Sequence, residues 1–368
     1  MQLLQTDSGN QKALRVVAIG GGTGLSTLLR GLKKYVPDPN RRRQMRAQRA
    51  GVPRHFTPAS YGEEEFLIRE LTAVVTVTDD GGSSGRLRED LNMLPPGDIR
   101  NCMVALSEDE HLLSQLFQVR FHQGELEGHS FGNLFLAALQ QITGDFAQAV
   151  QMSSQILATR GKIFPATNSN VTLAARMEDG TVVEGETSIT ASSQRIVELM
   201  LRPEKCAPMP QTLDAIAQAD LITLGPGSLY TSLITNLLVG GIPEALAASK
   251  ATKVYVCNLM TQANESLGLT ASQHLEKIME HAGKVSGPIF DYALVNTAPI
   301  SAERLQQYAR EGQEPIEADL DRIRELGVEP VTGNFVFEGD VLRHDYDTVT
   351  ENLLSLGLGH APAMVMQP

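Results

Sequence analysis

Leu14-Arg-Val-Val-Ala-Ile-Gly-Gly-Gly-Thr-Gly24 and Thr72-Ala-Val-Val-Thr-Val-Thr-Asp-Asp-Gly-Gly-Ser-Ser-Gly85 decide the fold. In each, an unbroken apolar run rich in β-branched residues passes straight into a turn of small polar residues. That is the pattern of a parallel strand buried on both faces. Leu221-Ile-Thr-Leu-Gly-Pro-Gly-Ser228, Val254-Tyr-Val-Cys-Asn-Leu-Met-Thr-Gln262 and Tyr292-Ala-Leu-Val-Asn-Thr297 repeat it. In open α/β sheets ligands bind outside the carboxyl ends of the strands. Five such ends, without bulky side chains, describe one shared crevice.

Between the strands the spacing turns helical. Leu25, Leu28, Leu29 and Leu32 predict an amphipathic helix that emerges directly from the glycines, and Phe131, Leu134, Phe135, Ala138, Leu139 and Ile142 predict another. Thr270-x-x-Gln273 is a capping box opening a helix that stops at Gly283. Val171–Ala175 and Thr181–Val183, joined by Asp179-Gly180, read as a β-hairpin over about residues 170–190 with a type I′ turn. The expected fold class is α/β, a doubly wound, mainly parallel sheet with a small antiparallel elaboration. A polar tail, 1–14, precedes a single nucleotide-binding domain, 15–368. Residues 37–65 interrupt it with six arginines (Arg41, Arg42, Arg43, Arg46, Arg49, Arg54) and the run Glu63-Glu-Glu65. Composition fits a solvated loop; a basic flap or docking arm is the functional alternative.

A chain of 368 residues with 42% hydrophobic residues can bury an ample core. Its net charge of −12, absence of Trp and 5% aromatics argue against a nucleic-acid partner. Cys102, Cys206 and Cys257 form no C-x-x-C pair, which suits a reducing compartment and offers no zinc site. With neither a signal-peptide pattern nor an apolar run of about 20 residues, a cytoplasmic protein without a membrane span is expected.

Gly20, Gly21, Gly22, Thr23 and Gly24 lie where a strand feeds a helix N-terminus, a place that presents N–H groups and a positive dipole end to an anion. The run lacks the third glycine of G-x-G-x-x-G and the Gly-Lys-Ser/Thr of a P-loop. Phosphate or pyrophosphate binding is the functional reading, a merely sharp turn the structural one. Asp79 and Asp80, followed by Gly81, Gly82 and Ser83, exceed what a ribose needs and suit Mg²⁺ shared with a phosphate. One of them could instead act as a general base, or serve only as a helix cap. His129 is a candidate acid or phosphate donor, or a structural imidazole; Asn133 is a ligand donor or a cap residue. Gly225, Pro226, Gly227 and Ser228 form a third strand-to-helix turn that fails the G-x-S-x-G nucleophile pattern, so Ser228 reads as a ligand donor. Asn258 and Thr261 offer groups that read a base or sugar, and Arg343 could clamp a diphosphate or pair with Asp345.

Taken in order, Ala18–Leu25, Val75–Arg86, Leu94-Pro-Pro-Gly-Asp-Ile-Arg100, Leu126–Asn133, Leu224–Ser232, Cys257–Gln262 and Arg343-His-Asp345 resemble the bacterial gluconeogenesis factor family. That family is related to 2-phospho-L-lactate transferase, which joins a phospholactyl group to a deazaflavin using an activated nucleotide and a divalent metal. The resemblance covers residues 15–36 and 70–350. It implies a Rossmann-like three-layer α/β/α fold, a cytoplasmic protein that binds a nucleotide-sugar such as a UDP-sugar, and a role in cell shape during gluconeogenic growth. It implies further that Gly20–Gly24 and Gly225–Ser228 hold the nucleotide, while Asp79 and Asp80 match the acidic loop of the transferase branch. If the protein is an enzyme, Asp79, Asp80 and His129 are its catalytic candidates. Three departures stand out: the segment 37–65 is extra, Ala263-Asn-Glu-Ser266 replaces Pro-Gly-Glu-Thr, and Thr235 replaces a proline. A sensor acting through a homodimer or a regulatory partner, a Mg²⁺-dependent transferase and an NAD-binding oxidoreductase are the competing readings, the last weakened by the broken glycine fingerprint.

Overall fold

A computed structural model describes residues 13–37, 67–108, 112–263 and 265–360. The arginine-rich segment therefore lies largely outside the described residues, as does the N-terminal tail up to residue 12. All five apolar runs are strands of one sheet: β1 (Leu14–Gly20), β2 (Ile68–Val75), β7 (Leu221–Leu224), β8 (Thr252–Val256) and β9 (Tyr292–Asn296). Two more strands complete it at the edges, β3 (Lys162–Pro165) and β10 (Glu329–Gly333), in the order β10-β9-β8-β7-β1-β2-β3. Every pairing is parallel.

This order places the site. From β1 the chain builds outward through β2 to β3, then returns to pair β7 against the other side of β1 and builds the opposite way. The topological switch point thus falls between β1 and β7, where an open α/β sheet forms its ligand crevice. The helix after β1, Gly22–Lys33, buries Leu25, Leu28, Leu29 and Leu32 completely, as the spacing requires. The helices Phe131–Thr143 and Ala271–Ala282 form where expected, the second with its Thr270–Gln273 capping box and with Gly283 at φ 72° beyond its end. No single helix among the described residues is long and apolar enough to cross a membrane.

The elaboration is larger than a hairpin. β4 (Thr172–Met177) pairs antiparallel with β5 (Val182–Glu184) and also with β6 (Ile196–Arg202), in the order β5-β4-β6. The expected type I′ turn is corrected too. Gly180 is left-handed (φ 84°) but Asp179 is not, and Gly180 N–H donates to Met177 O while Met177 N–H donates to Thr181 O. The loop is therefore a three-residue one with Gly180 as its bulge. The Asp179 carboxylate holds it by accepting from Thr181 N–H (2.9 Å) and Oγ1–H (2.7 Å). A second hairpin, β11 (Val336–Glu338) with β12 (Leu342–His344), sits beside the crevice.

Candidate functional site

Both glycine turns flank the switch point. Gly20 ends β1, and its carbonyl accepts from Thr76 N–H and the Asn236 amide. Gly22 opens the helix at φ 63°. No side chain within the turn caps this helix, and the Asp98 carboxylate, from 76 residues away, takes the Gly22 N–H at 2.7 Å. The Thr23 and Gly24 N–H groups keep no protein partner among the described residues. Gly24 is required by close approach: a Cβ there would lie 2.3 Å from the Pro226 carbonyl oxygen. The first and third turns are therefore pressed together, and any side chain at Gly24 parts them.

The third turn is braced more heavily than its sequence suggests. Asn258 accepts from Gly227 N–H (3.2 Å) and donates to Gly227 O (2.7 Å). Its amide thus holds the loop with one N–H and one lone pair, while the side chain also lines the cavity described below. Ser228 Oγ accepts from Gln262 Nε2 (3.0 Å). The following helix, Leu229–Ile234, is a π-helix, and its N-terminus is not fully open. Glu265 accepts from Tyr230 N–H (3.0 Å) and Thr231 Oγ1–H (3.0 Å), and burial raises its pKa. The departing segment Ala263–Ser266 thereby keeps its glutamate as a helix cap. Thr235, the other departure, donates to Tyr230 O within the same helical turn. The reading of Thr261 as a base or sugar reader is corrected: it is 1% exposed and its hydroxyl accepts from Glu314 N–H, so it fastens two loops together.

Between the turns lies a cavity of about 350 Å³. Gly21–Gly24 and Pro226–Ser228 form one wall; Tyr308, Gln313, Arg343 and Tyr346 lie among the others. Arg343, on β12, is the only lysine or arginine among the lining residues, and no carboxylate lines the cavity. Asp345 does not pair with it but caps the last helix, accepting from Asp347 N–H, Thr348 N–H and Thr348 Oγ1–H. His344 is buried, its pKa lowered to about 4 by desolvation, and its ring donates from Nε2 to Cys257 O at 3.0 Å. It is neutral at physiological pH.

The acidic loop lies on the β2 side. Asp79 Oδ1 accepts from Gly81 N–H (2.9 Å), while Asp80 Oδ1 accepts from Thr187 N–H (2.8 Å) and Oγ1–H (2.6 Å). Their second oxygens face different backbones, Asp79 Oδ2 toward Gly97 and Asp80 Oδ2 toward Gly185. The pair does not converge as one chelate, and no group of three or more His, Cys, Asp or Glu among the described residues is arranged to hold a metal ion. Two acids that sequence reasoning left without a role join this loop. Asp98 is raised to about 6, chiefly by burial and then by Asp79, against the lowering effect of the Gly22 N–H. Glu186, which accepts from Thr78 Oγ1–H at 3.4 Å, is raised to about 9 by burial and by the charges of Asp79, Asp98, Glu265 and Asp80. It carries a proton at neutral pH. Asp98 lay within the motif Leu94–Arg100 without a role of its own, and nothing local marked Glu186.

Gly82 (φ 47°) and Ser83 open the helix Gly82–Leu91. Ser83 Oγ sits 3.1 Å from His129 Nδ1 and accepts from Asn133 Nδ2 (3.1 Å) and Ser130 N–H (3.4 Å). Ser130 is the helix cap, accepting from Asn133 N–H, while Asn133 is 1% exposed. His129 is 8% exposed, and burial together with Arg86 lowers its pKa. The structure thus gathers Ser83, His129 and Asn133 into a buried knot outside the crevice lining, and the Asn133 amide is a brace.

The sequence profile of the family described as 2-phospho-L-lactate transferase CofD matches residues 16–336. The gluconeogenesis factor of Halalkalibacterium halodurans is 47% identical over 345 residues, 93% of this chain and 96% of that protein. The gluconeogenesis factor of Bacillus subtilis is 44% identical over 93% of this chain and 98% of its own length. A crystal structure of a UPF0052-family protein from Bacillus halodurans superposes with a TM-score of 0.82 at 47% identity, covering 93% of this chain and 99% of the other. The Rossmann-like order with its switch point between two glycine turns agrees with these likenesses, and the chain belongs to the gluconeogenesis factor family, within the wider CofD group.

Proposed function

We propose that this protein is a cytoplasmic regulatory factor that binds a nucleotide-sugar of the UDP-sugar class at the switch point and supports cell shape during gluconeogenic growth. One observation carries the reading: two glycine turns pressed together at Gly24 and Pro226, the first with its Thr23 and Gly24 N–H groups unpartnered among the described residues, flank a cavity whose single cation is Arg343. Helix N-termini and an arginine are the groups that receive a diphosphate. The absence of a carboxylate from the lining disfavours a dinucleotide, whose ribose is normally held by an acid. The test is thermal shift across UDP-sugars, GDP, ATP, NAD and deazaflavin, with and without Mg²⁺, because a ligand of the folded state raises stability by mass action. A UDP-sugar is expected to give the largest shift; a shift confined to NAD or to none of the probes would overturn the reading.

A transferase is the second reading, favoured by the gathering of Asp79, Asp80, Asp98 and Glu186 beside the phosphate turns. Mg²⁺ there would neutralise phosphate charge, with Asp79 and Asp80 as the loop carboxylates that would hold it. The proton on Glu186 would be available to a leaving oxygen. Growth on gluconeogenic carbon separates the two. Rescue by both Asp79→Asn and Asp80→Asn supports the sensor, whereas loss of rescue with nucleotide affinity intact supports chemistry at this loop.

A further inference from the structure

Beside the phosphate crevice lies a second cavity of about 470 Å³, and Asn258 and Leu259 form part of the wall of both. We infer that this second cavity holds the nucleobase of the bound nucleotide, a proposal that rests on the nucleotide reading above. It opens beyond the carboxyl ends of β8 and β9, two strand gaps along the sheet from the switch point. A ligand with its phosphates at Gly22–Gly24 therefore reaches it by passing Asn258.

The chemistry of the walls selects the occupant. Leu259, Val295, Ile300, Leu305 and Ile316 face it, and no Asp, Glu, Lys or Arg does. A phosphate would find no cation there, and a sugar would leave hydroxyl groups against hydrocarbon, each costing free energy when its hydrogen bonds are lost. A flat neutral heterocycle gains by transfer into such walls. The two asparagines at the rim are already engaged. Asn258 holds Gly227, while Asn296 donates to Ala298 O (2.9 Å) and accepts from Phe335 N–H (3.0 Å). Asn296 thus fixes the loop after β9 that closes the cavity. This placement orients the whole ligand. With the base under β8 and β9 and the phosphates at β1 and β7, the terminal group points to the β2 side, where Asp98 and Glu186 lie.

Two cavity-filling variants test it. Leu305→Trp alters a half-buried wall residue on a helix that has no buried residue, and Ala298→Leu narrows the cavity from the loop. UDP and inorganic pyrophosphate are titrated calorimetrically into the full chain and both variants. Pyrophosphate, which has no base, is expected to bind all three proteins alike, while UDP affinity falls at least about tenfold in the variants, roughly 1.4 kcal/mol. Unchanged UDP affinity in a variant that keeps the wild-type melting temperature would overturn the base assignment and leave the phosphate crevice standing. Failure of the wild-type chain to bind either probe would overturn the nucleotide reading and this inference with it.

Discussion

Replacing Glu186 with glutamine should stabilise the protein, and by more as the pH rises. In the folded protein this carboxyl holds its proton to about pH 9, because burial and four neighbouring acids oppose its charge; in the unfolded chain it ionises near 4.5. Below 4.5 both states are protonated and the group is neutral in its effect. Between the two values the folded state binds one more proton, so stability is lost as pH rises, about 1.4 kcal/mol for each unit. At about pH 7.5, three units above the unfolded value, the loss is on the order of 4 kcal/mol. Glutamine keeps the shape and the contact with Thr78 but has nothing to titrate. For a chain of 368 residues, the entropy of unfolding converts that difference into about 5 °C of melting temperature. The assay is thermal unfolding of wild type and Glu186→Gln in EDTA from about pH 5 to 8.5. The two curves should meet near pH 5 and separate steadily above it. Parallel curves would refute the claim that Glu186 sits in a carboxylate-rich, desolvated site.

Gly24→Ala places a methyl group against the Pro226 carbonyl at 2.3 Å, so stability should fall by about 1–3 kcal/mol, as for overpacking. Nucleotide affinity should fall further, read by calorimetry on the folded variant. Asn258→Ala removes both bonds to Gly227, which should cost about 1–3 kcal/mol, measured by chemical denaturation, and weaken pyrophosphate as much as UDP because the damage is to the turn. Tyr35 O accepts from Ile68 N–H at 3.1 Å, so the chain on either side of the arginine-rich segment meets itself. Replacing residues 40–62 with a short Gly-Ser link should leave the melting temperature and ligand affinity unchanged, since loop length has a small closure cost; a drop in either would show a working part.

The five central strands were legible because strands buried on both faces read as continuous apolar runs. β3 and β10 were not: one is four residues ending in Pro165, the other carries Pro330, and both are edge strands, where proline is tolerated. β6 was missed because no tight turn joins it to β4; the chain between passes through β5 and the helix Glu186–Ala191. At the site the glycine turns could be read locally, since strand, turn and helix are contiguous. The acids that occupy their N–H groups could not. Asp98 reaches Gly22 across 76 residues and Glu265 reaches Tyr230 across 35. The direction of a side chain was equally hidden: Thr261, correctly placed at a strand end, is buried and holds a loop, while Asn258 braces Gly227 from the wall of the crevice.

Calorimetric titration of UDP-sugars into wild type and Arg343→Gln, at low and high salt, bears most directly on the central claim that the switch-point crevice receives a diphosphate. Arg343 is exposed and free of ion pairs among the described residues, so the substitution leaves the fold alone. Wild type should bind with affinity that weakens as salt screens the arginine. Arg343→Gln should bind at least about tenfold more weakly, with a shallower salt dependence. Equal affinity and equal salt dependence in the two proteins would contradict a diphosphate held between the glycine turns and Arg343.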